Sequence, residues 1–151
     1  MLGVNRNKNH WIWAISGKHP LAADYFRLNV SGPIQKAFVQ WMDDGFASLP
    51  KSSEARHAFC FWRFWARGIK KGQLVIGLLK ASSDQVGRPY PLLIIGTGNL
   101  DEWEQNWMHL PHALAVVWQQ MEYLASKRFG NFKELAGAVN RIPPPADDWC
   151  N

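Results

Sequence analysis

The polar stretch Ser82-Ser83-Asp84-Gln85-Val86-Gly87-Arg88-Pro89-Tyr90-Pro91-Leu92 joins two apolar runs, residues 74–79 and residues 92–95. Short apolar runs bounded by turn-forming residues are typical of buried β-strands. Gly87 permits a left-handed backbone, and Pro89 and Pro91 fix their own φ and favour extended conformations at the residues before them. The pattern therefore predicts two strands connected by a stiff, ordered loop.

The same loop places a carboxylate and a guanidinium four residues apart, at Asp84 and Arg88. Across a tight turn, the two side chains can form a structural ion pair, or they can present a fixed carboxylate and a forked guanidinium to another molecule. The residues themselves favour these two interpretations equally.

Two further segments are rich in aromatic and β-branched residues, which favour strands over helices. Residues 11–15 read Trp-Ile-Trp-Ala-Ile, and residues 59–65 read Phe-Cys-Phe-Trp-Arg-Phe-Trp. The strands at residues 59–65, 74–79 and 90–97 follow one another with short connections, so we expect an antiparallel meander. Alternation along the first of them places Arg63 beside aromatic rings, where it can stack or reach a carboxylate.

Apolar side chains recur at three- and four-residue spacing after residue 31, which predicts an amphipathic helix. Ser31 is expected to cap this helix, Pro33 to lie in its first turn and Pro50 to end it. Before it, residues 18–30 have no regular pattern. Further helices are predicted at residues 101–109, 111–129 and 131–139.

The length of 151 residues fits one domain with a sizeable core. We predict a single compact α/β domain of the α+β type, in which helices pack on a central mixed, largely antiparallel sheet. The folded part is expected over residues 11–140, after a flexible amino terminus at residues 1–10 and before a proline-rich tail at residues 141–151. In that tail, Trp149 can dock on the domain.

The composition includes nine tryptophans, which predicts an aromatic core, aromatic recognition surfaces, or both. The net charge of +5 favours acidic partners, and no long basic run is present. Cys60 lies in an apolar run and Cys150 near the end of the sequence, so a disulfide framework is not expected and a reducing compartment fits. No apolar stretch has the length of a signal-peptide core or a membrane span, so we expect a cytoplasmic protein that does not insert into membranes.

The sequence offers no complete catalytic or metal-binding motif. His109 and His112 have the spacing of metal ligands, but Pro111 lies between them and no third ligand is near in sequence. Gly17-Lys18 follows a predicted strand but lacks the glycine that opens a phosphate-binding loop. We therefore predict no metal, no cofactor and no catalysis.

Two alternatives rest on other features of the sequence. Residues 62–67 read Trp-Arg-Phe-Trp-Ala-Arg, and exposed rings interleaved with arginines can stack on single-stranded nucleic acid. A buried strand has the same composition, and the lack of an RNA-binding fingerprint beside the string favours the buried strand. The second alternative is a hydrolase that uses Asp84 with a histidine such as His57 or His109.

Three islands of sequence, taken in order, resemble the TagF family, also called ImpM, of bacterial type VI secretion-associated proteins. The islands are Gly17-Lys18-His19-Pro20 with Ala23-Asp24-Tyr25 and Arg27, then Trp62-Arg63-Phe64, then Ser82-x-Asp84-x-Val86-Gly87-Arg88-x-Tyr90-Pro91-Leu92. They are similar to that family's Gly-Lys-x-Pro opening, its Trp-Arg-Phe strand and its Ser-Val-Asp-Arg-Val-Gly-Arg-Tyr-Phe-Pro-Leu signature. The chain resembles a divergent member, because Ala23 replaces a glycine of the family and Met42 replaces an aspartate.

The resemblance implies a non-catalytic, cytoplasmic accessory protein that acts after translation as a repressor of type VI secretion. It implies a protein partner, a forkhead-associated scaffold component, and a role that opposes or bypasses threonine phosphorylation. Nucleic acid is not the expected partner, and the oligomeric state is left open. The residues expected to bind the partner or to form the family motif are Lys18, Asp24, Trp62, Arg63, Ser82, Asp84, Gly87, Arg88 and Tyr90.

Overall fold

The computed structural model of the chain describes residues 10–52, 54–56, 61–146 and 148–150. Within these residues lie five strands, β1 (Ile12–Gly17), β2 (Phe26–Leu28), β3 (Phe61–Arg67), β4 (Gln73–Lys80) and β5 (Leu92–Asn99). The α-helices of the same residues are α1 (Pro33–Ala47), α2 (Leu110–Ala113), α3 (Ala115–Ser126) and α4 (Phe132–Asn140). Short 3-10 helices occupy Glu54–Arg56 and Trp107–His109.

The strands form one sheet in the order β2-β1-β5-β4-β3, and every neighbouring pair is antiparallel. The predicted meander is therefore confirmed as β3-β4-β5. The prediction allowed a mixed sheet, but the described strands form no parallel pair. Lys80 pairs with Leu92 across β4 and β5, and Gly17 pairs with Leu92 across β1 and β5. This register brings the segment after β1 next to the β4–β5 loop.

The helices cover the two faces of the sheet unequally. Helix α1 packs its apolar stripe on one face, where Val39 and Met42 contact a cluster that includes Val75 and Ile95. The helices α2, α3 and α4 cover the opposite face and form the larger core with Trp13. Strands β4 and β5 are buried on both faces, which explains why they read as continuous apolar runs rather than alternating ones. The single domain of α+β type predicted from the sequence is confirmed.

Two of the predicted helices differ from the structure. Residues 101–106 form turns, and only residues 107–109 are helical, because Glu102 has a left-handed φ of 60° that a helix does not accept. The helix predicted over residues 111–129 is two helices, since Leu114, with φ −92° and ψ −2°, interrupts it. Apolar periodicity continues through both breaks, so spacing alone could not reveal them.

The start of the chain contains a strand that the sequence did not predict. Strand β2 lies inside residues 18–30, which had no regular pattern; it is a three-residue, half-exposed edge strand and so lacks a clear alternation. The cap of α1 also differs, because Gly32 rather than Ser31 occupies the N-cap position and no side chain caps the helix. The predicted flexible residues 1–9 and the predicted buried Cys60 lie outside the described residues.

Other elements match their predictions. Helix α1 forms where the apolar spacing predicts it, but its buried side chains are Ile34, Gln35, Val39 and Met42, so a glutamine is buried while Trp41 is exposed. Helix α4 lies within one residue of its predicted bounds. Residues 142–146 have no regular structure, and the indole Nε1 of Trp149 donates to the carbonyl of Asp101 at 3.2 Å. The tail therefore docks on the domain through its tryptophan, as the sequence predicts.

A buried hydrogen bond joins α3 to the sheet, and its loss should destabilise the fold. The indole Nε1 of Trp118 donates to the carbonyl of Gly77 at 3.0 Å. We expect Trp118→Phe to lower the free energy of unfolding by about 2 kcal/mol, since the aromatic packing is partly kept but a buried acceptor loses its donor. Denaturant unfolding measures this, with Tyr123→Phe on the exposed side of α3 as the control. Equal unfolding midpoints for Trp118→Phe and the unaltered chain would contradict the assignment.

Candidate functional site

The β4–β5 loop is organised around the carboxylate of Asp84, whose side chain is completely buried. Its Oδ1 accepts the backbone N–H of Val86 at 3.1 Å and that of Arg88 at 3.0 Å. Its Oδ2 lies 2.7 Å from Arg88 Nε and 3.2 Å from Lys18 Nζ. Gly87 supplies the left-handed residue of the turn, with φ 84°. The loop is therefore closed on itself and tied to the end of β1.

The loop is also hydrogen-bonded to the segment after β1. The backbone N–H of Gln85 donates to Ala22 O at 2.8 Å, and its side-chain Nε2 donates to Leu21 O at 2.8 Å. Arg88 Nη2 donates to Ala23 O at 2.9 Å. We call this set of contacts the clamp, centred on Asp84 and including Lys18, Gln85, Arg88 and the carbonyls of residues 21–23. It joins two loops that are far apart in sequence.

The electrostatics of the clamp hold Asp84 in its charged form. Burial alone would raise the pKa of this carboxyl, but hydrogen bonds from the Arg88 N–H, from the Lys18 and Arg88 side chains and from the Val86 N–H outweigh it and lower the pKa to about 2. Four donors occupy the lone-pair sites that a carboxylate offers. The geometry thus matches the structural ion pair of the two interpretations, and Asp84 has no free oxygen for the general base of the hydrolase alternative.

Several predicted site residues belong to the clamp, and others lie away from it. Asp24 is exposed and lies 4.0 Å from Arg88 Nη2, whose side chain is 56% exposed. Arg63 makes its ion pair elsewhere, donating to Glu122 of α3 at 2.7 and 2.9 Å and lying over the ring of Trp118 at 5.8 Å. This confirms that Arg63 reaches a carboxylate beside an aromatic ring, but the three islands do not bring it together with Asp24 and Arg88.

An apolar groove of about 480 Å³ lies beside the clamp, between α1, the start of β3 and the base of the β4–β5 loop. We call it the aromatic groove. Two tryptophans on its rim are strongly exposed, Trp41 at 54% and Trp62 at 57%. Its lining consists of Trp41, Met42, Gly45, Phe46, Leu49, Arg56, Trp62, Leu79, Lys80, Ala81, Ser82, Tyr90 and Pro91. The predicted site residues Trp62, Ser82 and Tyr90 therefore share one concave surface.

A polar link connects the loop wall of the groove to α1. The hydroxyl of Tyr90 donates to Asp43 Oδ1, and its ring packs on Phe46 with a centroid distance of 4.7 Å. Burial, followed by the hydrogen bond to Asp43, raises the pKa of Tyr90 well above its usual range, so the phenol stays protonated. Asp43 also accepts from Tyr25 and Arg27, each at 3.4 Å. Asp43 is not among the site residues predicted from the sequence, and no local signal in the sequence shows its role.

The aromatic and basic string on β3 is divided between the two faces of the sheet. Phe64 faces α1 and stacks on Phe38 at 5.6 Å, whereas Trp65 packs on Trp118 at 6.3 Å on the other face. Trp62 and Phe64 thus share the α1 side, where both border an apolar surface with Trp41. The rings of residues 62–67 are therefore not all on one face, and binding to single-stranded nucleic acid stays a prediction that salt-dependent titration would test.

In the described part of the chain, no group of three or more His, Cys, Asp or Glu side chains is placed to hold a metal ion. The candidate ligands His109 and His112 are both exposed, and His57 of the hydrolase alternative lies outside the described residues. Among the helices described, none combines the length and apolarity that crossing a membrane requires.

Comparisons with known proteins find a matching family model and a similar solved structure. The family model described as TagF N-terminal domain, Type VI secretion system-associated, matches residues 14–142, which include both the clamp and the groove. No curated protein matches the sequence significantly. Among solved structures, the crystal structure of PA0076 from Pseudomonas aeruginosa PAO1 is similar, with a TM-score of 0.66 and 20% identity. The match covers 89% of this chain and 64% of that one, and at this identity it shows a shared fold.

The charge on Asp84 should stabilise the protein in a pH-dependent way. Because its pKa in the folded protein, about 2, is below the ordinary 3.8, the contribution is fully present above about pH 4 and is lost as the pH falls through about 2. We expect Asp84→Asn, which keeps the shape but replaces an acceptor oxygen by a donor, to lower Tm clearly at pH 7 and by less at pH 2.5. Thermal unfolding at both pH values measures this.

The matched control for this measurement is Asp24→Asn, an exposed acid beside the same arginine. It should change Tm little at either pH, since exposed ion pairs contribute little stability. A Tm loss for Asp84→Asn that is the same at pH 7 and pH 2.5 would show that its charge does not hold the clamp.

Proposed function

Because the chain belongs to the type VI secretion-associated family of TagF N-terminal domains, we propose that it restrains type VI secretion by binding a protein partner through the aromatic groove. The partner we propose is a forkhead-associated scaffold protein of the secretion pathway, engaged after translation. This restraint would oppose or bypass control by threonine phosphorylation. The observation that carries the proposal is the pair of exposed tryptophans on a concave, apolar surface.

An exposed tryptophan leaves a large apolar surface in water, which is unfavourable unless a partner covers it. Trp41 and Trp62 each leave more than half of their side chain in water, and the adjoining surface of Phe38, Phe64 and Leu79 is apolar. Contiguous apolar surface of this kind marks interaction sites. Tryptophan and tyrosine also dominate the centres of protein interfaces, because they bury a large rigid area at a small entropic cost.

The groove is held in shape before any partner arrives. One wall, formed by the base of the β4–β5 loop, is fixed by the clamp and by the Tyr90–Asp43 hydrogen bond. The other wall ends at the carboxyl end of α1, where Arg56 donates to the carbonyls of Leu49 and Pro50 and lies over Phe46 at 4.4 Å. Preformed walls reduce the entropy lost on binding. Arg56 is thus committed to holding the groove rather than free to bind a partner.

Binding rather than turnover is the activity that the site supports. The loop that carries the family motif has its carboxylate saturated by donors. Of the polar side chains that line the neighbouring groove, Lys80 donates to Ser126 at 2.9 Å and Tyr90 donates to Asp43. Among the described residues, the groove lining contains no histidine or carboxylate that could activate Ser82. A site built to recognise a surface needs shape and apolar area, whereas a site built for hydrolysis needs an activated nucleophile.

Removing the two exposed indoles should release the restraint. We expect Trp41→Ala combined with Trp62→Ala to weaken binding of the purified forkhead-associated scaffold by about tenfold or more, as loss of interface anchors does. In a host that lacks its own copy of the gene, the double variant should also fail to repress effector secretion. Calorimetry and a secretion assay are the two measurements.

The matched control is Trp107→Ala, since Trp107 is 54% exposed but lies outside the groove. It should bind the scaffold and repress secretion as the unaltered chain does. A double groove variant that keeps its Tm, its affinity for the scaffold and its repression would refute the proposed function.

A further inference from the structure

The two edges of the sheet differ in a way that the proposed function does not explain. Strand β2, at one edge, has three residues, whereas β3, at the other, has seven and contains neither proline nor glycine. Among the described residues, no strand pairs with the outer side of β3. Short or interrupted edges are how proteins avoid unwanted pairing, and a long aromatic edge is a template for another strand.

The register of β3 shows which of its backbone groups are free. The N–H of Gly68 donates to Gln73 O at 2.9 Å, so these two residues form a hydrogen-bonded pair. Hydrogen-bonded and non-hydrogen-bonded pairs alternate in an antiparallel ladder, so every second residue of β3, counted back from Gly68, bonds to β4. The residues between them point their N–H and C=O groups away from β4. These outward-facing residues are Phe61, Arg63, Trp65 and Arg67.

The two faces of this edge differ in character. On the α1 side, a strand added to β3 would run beside Trp62 and Phe64, on the apolar surface that adjoins the aromatic groove. On the α3 side, it would run beside Arg63 and Arg67, with Lys70 and Lys71 in the turn that follows. Within the described residues, only Arg63 of these cations has a salt-bridge partner. An added strand therefore meets apolar surface with one face. With the other it meets Phe61 and Trp65, Arg63 already paired with Glu122, and the positive charge of Arg67 and the basic turn.

We propose that β3 is completed by an extended, antiparallel segment of the protein partner, in which apolar residues facing the groove alternate with acidic residues facing the arginines. This inference rests on the proposed function and names the chemistry that the groove recognises. Backbone hydrogen bonds supply part of the affinity, and the alternating side chains supply the specificity. Antiparallel pairing continues the pattern of every other strand pair in the sheet.

A second copy of this chain fits the edge less well than an acidic partner. Strand β3 contains no acidic residue, so the β3 strand of a second copy would offer no carboxylate to Arg67. Each chain also brings a net charge of +5. Charge complementarity therefore selects a partner segment that carries carboxylates.

The probe for this inference is a blocked, fluorescent peptide of alternating valine and glutamate, as long as the seven-residue β3. Its binding to the whole chain is measured by fluorescence anisotropy at low and at about physiological salt. We expect it to bind, and we expect a peptide with lysine in place of glutamate to bind about tenfold more weakly or not at all. Arg67→Gln should weaken binding of the glutamate peptide severalfold, while Trp107→Ala should not.

Two N-methylated versions of the glutamate peptide test the backbone pairing directly. In an antiparallel strand, the glutamates lie opposite the outward-facing residues of β3, so their N–H groups make the hydrogen bonds. Methylation of the glutamate nitrogens should abolish binding, whereas methylation of the valine nitrogens should leave it nearly unchanged. Equal effects of the two methylations, equal binding of the lysine peptide, or no binding at low salt would each overturn the inference.

The experiments distinguish failure of strand addition from failure of the proposed function. If the scaffold protein binds the unaltered chain, loses affinity for the double tryptophan variant and keeps full affinity for Arg67→Gln while the peptide tests fail, the groove is the docking site and strand addition is wrong. If the double tryptophan variant binds the scaffold normally, the proposed function itself is wrong, whatever the peptides do.

Discussion

The ion pair between buried Asp84 and the cations Lys18 and Arg88 is the constraint on which the candidate site depends. It orders the β4–β5 loop by joining it to the end of β1, which the antiparallel register places at the same end of the sheet. A carboxylate without solvent contact is stable there only because each of its oxygens has donors. The family motif around it therefore serves primarily to build a rigid wall.

The wall matters because of what stands opposite it. Helix α1 covers only part of its face of the sheet, so the aromatic side chains of β3 near that helix stay partly in water. Trp41, Trp62 and Tyr90 then frame one groove, with Tyr90 linked to Asp43 on the helix. We propose that the rigid loop, the incompletely covered sheet and the edge of β3, with which no strand of the described residues pairs on its outer side, together form a surface for a partner chain. The net positive charge favours an acidic partner.

The sequence predicts what local chemistry determines. Gly87, Pro89 and Pro91 restrict the backbone of their own loop, so its stiffness and the flanking strands follow directly. The length of α1 follows from its apolar spacing in the same way. What the sequence could not provide is the set of distant partners: the carbonyls that receive Arg88, the bond from Tyr90 to Asp43, and the pairing of Arg63 with Glu122 all depend on the packing of the finished fold. The left-handed Glu102 breaks a predicted helix for the same reason, since no local signal marks it.

The most direct test of the account is to watch the indole N–H signals of the nine tryptophans by nuclear magnetic resonance while the forkhead-associated scaffold protein is added. The account predicts that the signals of Trp41 and Trp62 shift or broaden first, and that those of Trp107 and buried Trp118 stay in place. A complex that forms while Trp41 and Trp62 remain unperturbed would contradict it.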